Sequence, residues 1–346
     1  MNKFLIIAFI VCAQQIFGQN TVEVKRVSIS NIYKETFENL KLFKDSGFYK
    51  GIEIFEKGLA GTTSSYEKYK MILNLGYLYS ATKQYEKSID MWIMANKEGI
   101  FFPFDLNDKG YLPYLQEYSG NKQFQKFMFL NDSIKNLANK NPKAEYFVNL
   151  PSDYSANIKY PLIIILHGGI GDNNSTYINW DSKSITSGFI SVYPQGRQIL
   201  GSYARKYGLY GIEDIKEIYY HVISKYPVDT SNVILAGQSA GGELAIRLSY
   251  KDIPVRGLLL AFPVKPSDFN VNNAKNLTSR NVKVVMICGE KDNRFFPGQQ
   301  EISTIMDSVK IEHRFITYPD LGHGFPSDFP DQIDKGLLYL TEKNYD

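Results

Sequence analysis

A serine between glycines is the first feature of this sequence that could do chemistry. Ser239 stands at the centre of the run GQSAGG, residues 237–242. The run follows an apolar stretch at 233–236 and precedes a helical pattern at 241–250. In that strand–turn–helix context, G-x-S-x-G lifts a serine out of a sheet at a helix N-terminus, where partial positive charge favours an oxyanion. We therefore predict that Ser239 is a nucleophile.

A serine nucleophile needs a base, and the chain holds 4 histidines. His323 lies in a loop just past the last predicted strand, where parallel sheets gather their ligand-binding loops. His221 falls within a helical pattern and is interpreted as structural, and His313 begins the last predicted strand. His167 directly follows a strand and precedes two glycines. Elimination favours His323 as the general base.

The base needs a carboxylate that orients it, expected between the serine and the histidine in chain order. Asp292 follows the strand predicted at 284–288, and its carboxylate could accept the imidazole Nδ1–H. Glu290 is a rival on the same loop, and Asp320 lies close enough to His323 in sequence to remain open. Asp292 is the favoured acid.

Two backbone amides are expected to bind the oxyanion. One belongs to Ala240, which follows the nucleophile, and the other to the loop 167–171, whose glycines let the backbone turn its amides inward. Gly169 is the first choice there, with Gly168 and Ile170 as neighbours. Contacts to substrate are assigned to His167, Gly168, Gln238, Tyr203 and Tyr207.

The loop 195–210 follows a strand and carries a basic and aromatic mixture of side chains. Its members are Arg197, Tyr203, Arg205, Lys206, Tyr207 and Tyr210. It could roof the pocket and meet an acidic or aromatic substrate, and an ordinary solvated loop is the equal alternative.

The sequence shows no metal-ligand cluster and no phosphate-cradling loop, so we expect no metal and no cofactor. A net charge of +3 is too small to indicate nucleic acid or an anionic membrane as a partner.

From residue 142 onward, apolar runs alternate with helical patterns. Strands are predicted at 145–150, 162–166, 189–193, 233–236, 258–262, 284–288 and 313–318, and helices at 211–226, 241–250 and 299–309. Continuous apolar strands separated by helices predict an α/β fold, with a mostly parallel sheet covered by helices. The weakly alternating run 145–150 is predicted to be an edge strand.

Residues 19–141 are predicted to form a small all-α domain. The run NLGYLY at 74–79, followed by Trp92 and Ala95, resembles one tetratricopeptide-type hairpin, in which a small residue on one helix admits an aromatic from the next. The run 49–55 is interpreted as the second helix of a weaker preceding unit. An unrelated helical domain remains the alternative.

The first 18 residues combine a positive start, a short apolar run at 4–13 and a small residue, Gly18. This pattern predicts a signal peptide cleaved before Gln19, and therefore export to the periplasm or the medium. Cys12 raises a lipoprotein signal as an alternative, although Val11 fits poorly before it. Cleavage would leave Cys288 as the remaining cysteine, which is interpreted as a packed thiol in a strand.

Residues 145–340 resemble the α/β-hydrolase superfamily, and within it the secreted hydrolases related to feruloyl esterase and the phospholipase/carboxylesterase group. The segments that carry the resemblance are 160–161, 166–169, 192–196, 214, 228–229, 237–242, 289–292 and 322–323. The resemblance implies hydrolysis of small or polymer-linked carboxylic esters, or of peptides in the related peptidases. Few strands precede residue 162, which departs from the family and predicts a short sheet that lacks a full first hairpin.

Three functions are therefore open. The first is a serine esterase that works through an acyl-enzyme. The second is a serine peptidase of the same fold, in which the domain 19–141 would act as a size filter or a peptide-binding surface. The third is a non-catalytic binding or adaptor protein with a relict hydrolase fold. A complete set of Ser239, Asp292 and His323 argues against the third.

The catalytic domain is expected to span 142–346.

Overall fold

The structure is a computed structural model, and it describes residues 20–42, 47–106 and 113–342. The chain divides into two compact units. The sheet unit comprises Met1–Lys25, Lys143–Gln198 and Lys206–Asp346, and the helical unit comprises Arg26–Pro142 and Ile199–Arg205. The predicted signal peptide of residues 1–18 lies outside the described residues.

The boundaries differ from the expected division at 19–141 and 142–346 in two places. Residues 20–25 fall in the sheet unit, because Thr21–Glu23 forms a strand there. Residues 199–205 fall in the helical unit, because the contacts of that segment lie among the helices. Both differences depend on contacts between residues far apart in the sequence.

The strands of the described residues are β1 Thr21–Glu23, β2 Ala144–Asn149, β3 Tyr160–Leu166, β4 Ile190–Gln195, β5 Gln198–Gly201, β6 Ala204–Lys206, β7 Val228–Gln238, β8 Gly257–Ala261, β9 Lys283–Gly289 and β10 His313–Tyr318. Strands β5 and β6 form a separate pair, and the other eight form the main sheet in the order β1-β2-β4-β3-β7-β8-β9-β10. Strand β2 pairs antiparallel with β4, and each of the other pairs in this order is parallel.

Strand β1 completes one edge of the sheet. It pairs in parallel with β2, so the prediction that residues 145–150 form an edge strand was wrong. A parallel pair needs a long crossover connection, and residues 26–142 lie between these two strands in the chain. The absence of a first hairpin was therefore predicted correctly, whereas the sheet itself is not short. Thr21 Oγ1 donates to Glu217 Oε1 at 2.8 Å, and Tyr226 Oη donates to Glu23 Oε1 at 2.8 Å.

Helices cover both faces of this sheet. The helices of the sheet unit are Asn173–Asn179, Lys183–Gly188, Gly211–Lys225, Ala240–Lys251, Val271–Thr278, Phe296–Ser308 and Phe329–Thr341. Strand β3 shows why its sequence is uninterruptedly apolar: Ile163 and Ile165 belong to one core cluster, and Leu162, Ile164 and Leu166 belong to the other. A strand buried on both faces has no position left for a polar side chain.

The helical unit contains the helices predicted from the spacing of apolar residues. They are Asn31–Leu42, Phe48–Gly61, Ser65–Ala81, Tyr85–Lys97 and Lys122–Ala138, with a 3₁₀ helix at Pro113–Tyr118. Gly76 lies against the fully buried ring of Trp92, since a Cβ built on Gly76 would be 2.8 Å from Trp92 Cζ2. The predicted close approach of two helices at Gly76 is thus present.

Residues 199–205 are hydrogen-bonded to other residues of the helical unit through backbone and side-chain groups. Ser202 N–H donates to the carbonyl of Phe101 at 2.8 Å, and Phe101 N–H donates to Ser202 Oγ at 2.9 Å. Asn139 Nδ2 donates to the carbonyl of Ile199 at 2.7 Å, and Ile199 N–H donates back to Asn139 Oδ1 at 3.1 Å. Residues 199–205 are therefore an integral part of the helical unit.

Within residues 20–42, 47–106 and 113–342, no helix is both long and apolar enough to cross a bilayer.

The contact between Gly76 and Trp92 gives the first prediction. Gly76→Ala should lower the free energy of unfolding by about 1–3 kcal/mol, because the added methyl group overlaps an immobile buried ring. In an exposed helix interior the same change is stabilising by about 1 kcal/mol, so the sign itself is informative. Thermal unfolding followed by circular dichroism measures it. Gly120→Ala is the control, since a Cβ there meets nothing within 4 Å; equal stability of the two variants would contradict the prediction.

Candidate active site

Ser239 occupies a strained turn between β7 and the helix Ala240–Lys251. Its φ of 52° and ψ of −121° lie outside the regions that a residue with a side chain prefers. Backbone hydrogen bonds maintain this conformation: Ser239 N–H donates to the carbonyl of Ala261 at 3.0 Å, and the Ser239 carbonyl accepts from Val264 N–H at 3.1 Å. Strain of this kind persists where the surroundings over-determine it, and it concentrates at functional sites.

The glycines around Ser239 are required by close backbone approach. A Cβ on Gly241 would lie 2.3 Å from the carbonyl oxygens of both Leu166 and His167, at the end of β3. A Cβ on Gly237 would lie 2.6 Å from the backbone of Gly241. No larger residue fits without moving main chain, which explains the G-x-S-x-G spacing in physical terms.

Three side chains from three loops form one hydrogen-bonded series. Ser239 Oγ lies 2.9 Å from His323 Nε2, and His323 Nδ1 lies 2.6 Å from Asp292 Oδ2. In the tautomer with its proton on Nδ1, His323 donates to Asp292 and accepts from the serine hydroxyl. The Asp292 side chain is 4% exposed and that of His323 is 34% exposed. The carboxylate is therefore shielded from water, whereas the imidazole edge is open to a substrate.

The rival carboxylates point elsewhere. Glu290 Oε1 accepts from Thr317 Oγ1 at 2.7 Å, and Asp320 pairs with Lys291 at 2.7 Å on the surface. Asp292 also accepts from the backbone N–H of Phe295 at 3.3 Å, which orients its second oxygen. Of the three acids left open by the sequence, the structure brings Asp292 to His323.

The other histidines are engaged away from Ser239. Nδ1 of His221 lies 2.7 Å from Tyr146 Oη, and Nε2 of His313 lies 2.8 Å from Ser303 Oγ. The contact of His221 is consistent with the structural role predicted for it.

His167 supports the loop that follows β3. It is fully buried, its Nδ1–H donates to the carbonyl of Gly168 at 2.6 Å, and its Nε2 accepts from Gly196 N–H at 3.3 Å. Its ring stacks on Tyr207 at 4.2 Å between centroids. With both nitrogens bonded to backbone, the structure favours a positioning role for His167 over the predicted substrate contact.

The two expected oxyanion donors line the same cavity. Gly169 and Ala240 face a space of about 440 Å³. Its other lining residues are Lys206, Tyr207, Gly208, Leu209, Ile212, Glu243, Leu244 and Arg247. Gly168 lies beside the nucleophile, since a Cβ on it would be 3.6 Å from Ser239 Cβ. Ala240 begins the helix that follows Ser239, so its N–H is one of the donors that the first turn leaves without an intrahelical partner.

The remaining predicted substrate contacts lie in different surroundings. Tyr207 lines the cavity, and its hydroxyl accepts from His167 N–H at 3.1 Å while donating to the Pro194 carbonyl at 3.2 Å. Burial raises the pKa of Tyr207 above its ordinary value, so the hydroxyl stays protonated. Gln238 accepts from Trp180 Nε1–H at 2.7 Å. Tyr203 belongs to the helical unit.

In the helical unit, Tyr203 contacts two other aromatic rings edge-on. The centroid of its ring lies 5.1 Å from that of Tyr66 and 5.5 Å from that of Tyr69. These contacts account for an aromatic residue in the hairpin without a substrate.

The loop 195–210 is anchored at its start. Arg197 Nε donates to both carboxylate oxygens of Asp214, at 2.9 and 3.1 Å, and the guanidinium lies 4.6 Å from the ring centroid of Tyr210. Burial raises the pKa of Asp214, and the hydrogen bond from Arg197 opposes that rise. Leu209, in contrast, is 94% exposed. The solvated-loop alternative therefore describes Leu209 and not Arg197 or residues 199–205.

Aromatic residues next to His323 were missed at the sequence level. The His323 ring lies 4.7 Å from that of Phe262 and 5.0 Å from that of Phe295, measured between centroids. Phe262 directly follows β8, and Phe295 lies in the loop that carries Asp292. Their positions after strands were the available signal, because those loops meet at one edge of a parallel sheet.

Cys288 is buried in β9, as predicted for a packed thiol. Burial raises the pKa of its thiol, with the nearby Asp292 carboxylate adding to the rise. The thiol is therefore protonated and unsuited to nucleophilic attack. Among the described residues, no group of three or more His, Cys, Asp or Glu side chains has the arrangement of a metal site.

Comparison with known proteins identifies a family. The sequence profile of the dienelactone hydrolase family matches residues 150–336, which is more than half of the chain. No curated protein matches the chain. An uncharacterised protein from Bacillus cereus is similar in structure, with 22% identity, a TM-score of 0.49, and coverage of 91% of this chain and 99% of that one.

Two esterase structures show weaker similarity. Est2 of Thermogutta terrifontis has 15% identity, a TM-score of 0.42, and coverage of 58% of this chain and 89% of its own. A ferulic acid esterase has 16% identity, a TM-score of 0.43, and coverage of 58% of this chain and 93% of its own.

The close approach at Gly241 gives a prediction about the nucleophile turn. Gly241→Ala should reduce stability by about 3 kcal/mol or more, because its Cβ would overlap two main-chain carbonyls that cannot rotate away. Gly169→Ala is the matched control for stability, since a Cβ there meets nothing within 4 Å. Chemical denaturation of both variants measures the difference. A Gly241→Ala protein as stable as wild type would show that the turn is looser than described.

Proposed function

Because the chain belongs to the dienelactone hydrolase family, we propose that this hydrolase cleaves carboxylic esters through a Ser-His-Asp acyl-enzyme mechanism. The observation that carries the proposal is the continuous hydrogen-bonded series from Ser239 through His323 to Asp292. The family is named for a hydrolase of a lactone, which is a cyclic ester, and this supports an ester as the substrate class.

The first step is attack on the ester carbonyl. Ser239 Oγ forms the new bond to carbon while His323 Nε2 takes the hydroxyl proton across the 2.9 Å contact. The imidazole becomes a cation, and the carboxylate of Asp292 at 2.6 Å stabilises it. Burial of Asp292 makes this attraction stronger than it would be in water.

The carbonyl oxygen gains negative charge as the tetrahedral intermediate forms. The backbone N–H of Ala240, at the start of a helix, is the proposed first donor to this oxygen, with the helix dipole favouring the charge. Gly169 is the proposed second donor, on the loop supported by His167. Removal of one such donor generally costs about 10²–10³ in kcat.

The intermediate collapses when the bond to the alcohol oxygen breaks. His323 gives its proton to the leaving alcohol, which departs and leaves an acyl group on Ser239. Water then loses a proton to the same imidazole and attacks the acyl carbonyl, releasing the acid and restoring the serine hydroxyl. One part of the ester is proposed to occupy the cavity between Gly169 and Leu244.

We also propose that the protein is exported after cleavage before Gln19, on the strength of the N-terminal sequence pattern. Expression of the full chain in a bacterium followed by sequencing of the mature N-terminus tests this. Gln19 as the first residue of periplasmic or secreted protein is the expected result. Retention of residues 1–18, or a lipid on Cys12, would contradict it.

The activated serine can be tested directly by labelling with a fluorophosphonate probe. Wild-type protein should be labelled covalently. Ser239→Ala should not be labelled, because it lacks the oxygen that reacts with the probe, and His323→Ala should lose nearly all labelling, because it lacks the base that activates the serine. In-gel fluorescence measures the reaction, and circular dichroism checks that each variant is folded. If the folded wild type stays unlabelled, the proposed mechanism fails, and a binding protein with a relict fold becomes the better interpretation.

The orienting acid can be tested separately from its rivals. Asp292→Asn should reduce kcat on a small aryl ester by about 10⁴-fold, because an amide at this position favours the wrong imidazole tautomer. Glu290→Gln and Asp320→Asn are matched controls and should retain activity close to wild type, since their carboxylates bond to Thr317 and Lys291. Turnover of short peptides instead of the aryl ester would favour a peptidase.

A further inference from the structure

A phenylalanine outside the hydrogen-bonded series contacts the imidazole of His323. We propose that Phe262 is a positioning residue that keeps His323 Nε2 directed at Ser239: its ring packs on the imidazole, and its neighbours Ala261 and Val264 hydrogen-bond to the backbone of Ser239. This inference rests on the proposed function, because it assigns a role within the same reaction.

A single hydrogen bond to Asp292 does not fix the imidazole. A ring held at Nδ1 alone can still rock about that contact and carry Nε2 away from the serine. Phe262 meets the imidazole at 71° between ring planes, and Phe295 meets it at 44°. Two rings in contact with the imidazole limit this motion, because any displacement forces overlap with a packed neighbour.

Phe262 can restrict the imidazole because it is itself immobile. Its side chain is buried, with 5% of the residue exposed. Its ring also packs edge-on against Phe325, at 4.9 Å between centroids, and Phe325 packs on the buried Phe329 at 4.6 Å. The ring of Phe262 therefore packs against Phe325 as well as His323, and Phe325 is held in turn by Phe329. This packing leaves the Phe262 ring little room to turn away from the imidazole.

The backbone of Phe262 is strained, and this strain points to a use for its side chain. Its φ is 37°, in the left-handed region that a residue with a bulky side chain rarely adopts. A glycine would adopt this conformation without cost. The chain nevertheless places a phenylalanine there, directly against the imidazole.

Hydrogen bonds around Phe262 explain why the strain persists. Phe262 N–H donates to the carbonyl of Ile287 at 2.7 Å, on the neighbouring strand. The residue before it, Ala261, accepts from Ser239 N–H, and Val264 donates to the Ser239 carbonyl. One short segment therefore binds the backbone of the nucleophile on either side of Phe262 and places an aromatic ring on the base.

This arrangement predicts an effect on chemistry and not on binding. Proton transfer needs the 2.9 Å contact between Ser239 and His323, and a misplacement of about 1 Å can cost about 10²-fold in rate. The cavity proposed to hold one part of the ester is lined by residues other than Phe262. We therefore expect Phe262→Leu to lower kcat by about 10- to 100-fold with KM nearly unchanged.

The matched control is Phe269→Leu. Phe269 is a buried phenylalanine of the sheet unit, with 1% exposed, and its ring contacts Tyr250 instead of the site residues. Both variants lose a buried ring and should lose stability, but Phe269→Leu should keep wild-type kcat. Aryl-ester kinetics and fluorophosphonate labelling rates below the Tm of both variants separate the two effects. Equal activity of Phe262→Leu and Phe269→Leu would overturn the proposal.

A second measurement asks whether Phe262 acts through His323. In a His323→Ala background, Phe262→Leu should cause no further loss in the slow residual labelling rate that is measured at high probe concentration, because the group that it positions is gone. A loss of the same factor in both backgrounds would indicate a general structural effect and would overturn the proposal. If wild-type protein is not labelled at all, the proposed function itself fails. If wild-type protein is labelled and Phe262→Leu is labelled at the same rate, only the role proposed for Phe262 fails.

Two further variants separate strain from ring contact. Phe262→Gly and Phe262→Ala both remove the ring, so both should lose kcat to a similar extent. Phe262→Gly should have the higher Tm of the two, which reverses the usual order, because only glycine adopts a φ of 37° freely. Wild-type kcat in either variant would show that the ring does not position the base.

Discussion

The close packing of the helix Ala240–Lys251 against the ends of the central strands is the constraint on which the site depends. Gly241 sits so near the carbonyls of Leu166 and His167 that its hydrogen atom is the largest substituent that fits. This contact brings the helix N-terminus to the sheet edge, and Ser239, between the strand and the helix, has a φ of 52°. The turn at Ser239 and the loop that begins at His167 therefore lie in close contact.

The order of strands then decides which loops meet at that serine. Ser239 and His323 are 84 residues apart in sequence, and His323 and Asp292 are 31 apart. Because β7, β8, β9 and β10 are neighbours and parallel, their carboxyl ends lie side by side. The loops after β8 and β9 supply Phe262 and Phe295, so the imidazole has hydrogen bonds at its nitrogens and two phenyl rings packed beside it.

The chain path links the two units more than once. The sheet begins with Thr21–Glu23 and resumes only at Ala144–Asn149, so residues 26–142 serve as the crossover that a parallel β1–β2 pair requires. A second exchange occurs at Ile199–Arg205, where a loop of the sheet unit supplies a hairpin to the helical unit. Neither exchange leaves a local signal in sequence, since each depends on partners that are distant along the chain.

The sequence by itself determined the features that depend on local spacing. Runs of apolar residues predicted β3, β4, β7, β8 and β9, because burial on both faces removes polar positions. The strands β5 and β6 lie in the predicted loop 195–210 and were missed. The glycines around Ser239 indicated a tight turn, and Gly76 indicated a close contact between two helices. Only the tertiary structure decided between Asp292, Glu290 and Asp320, buried His167, paired β1 with β2 and brought Phe262 to the imidazole. These outcomes are set by hydrogen bonds and packing across the sheet, which join residues that no local pattern connects.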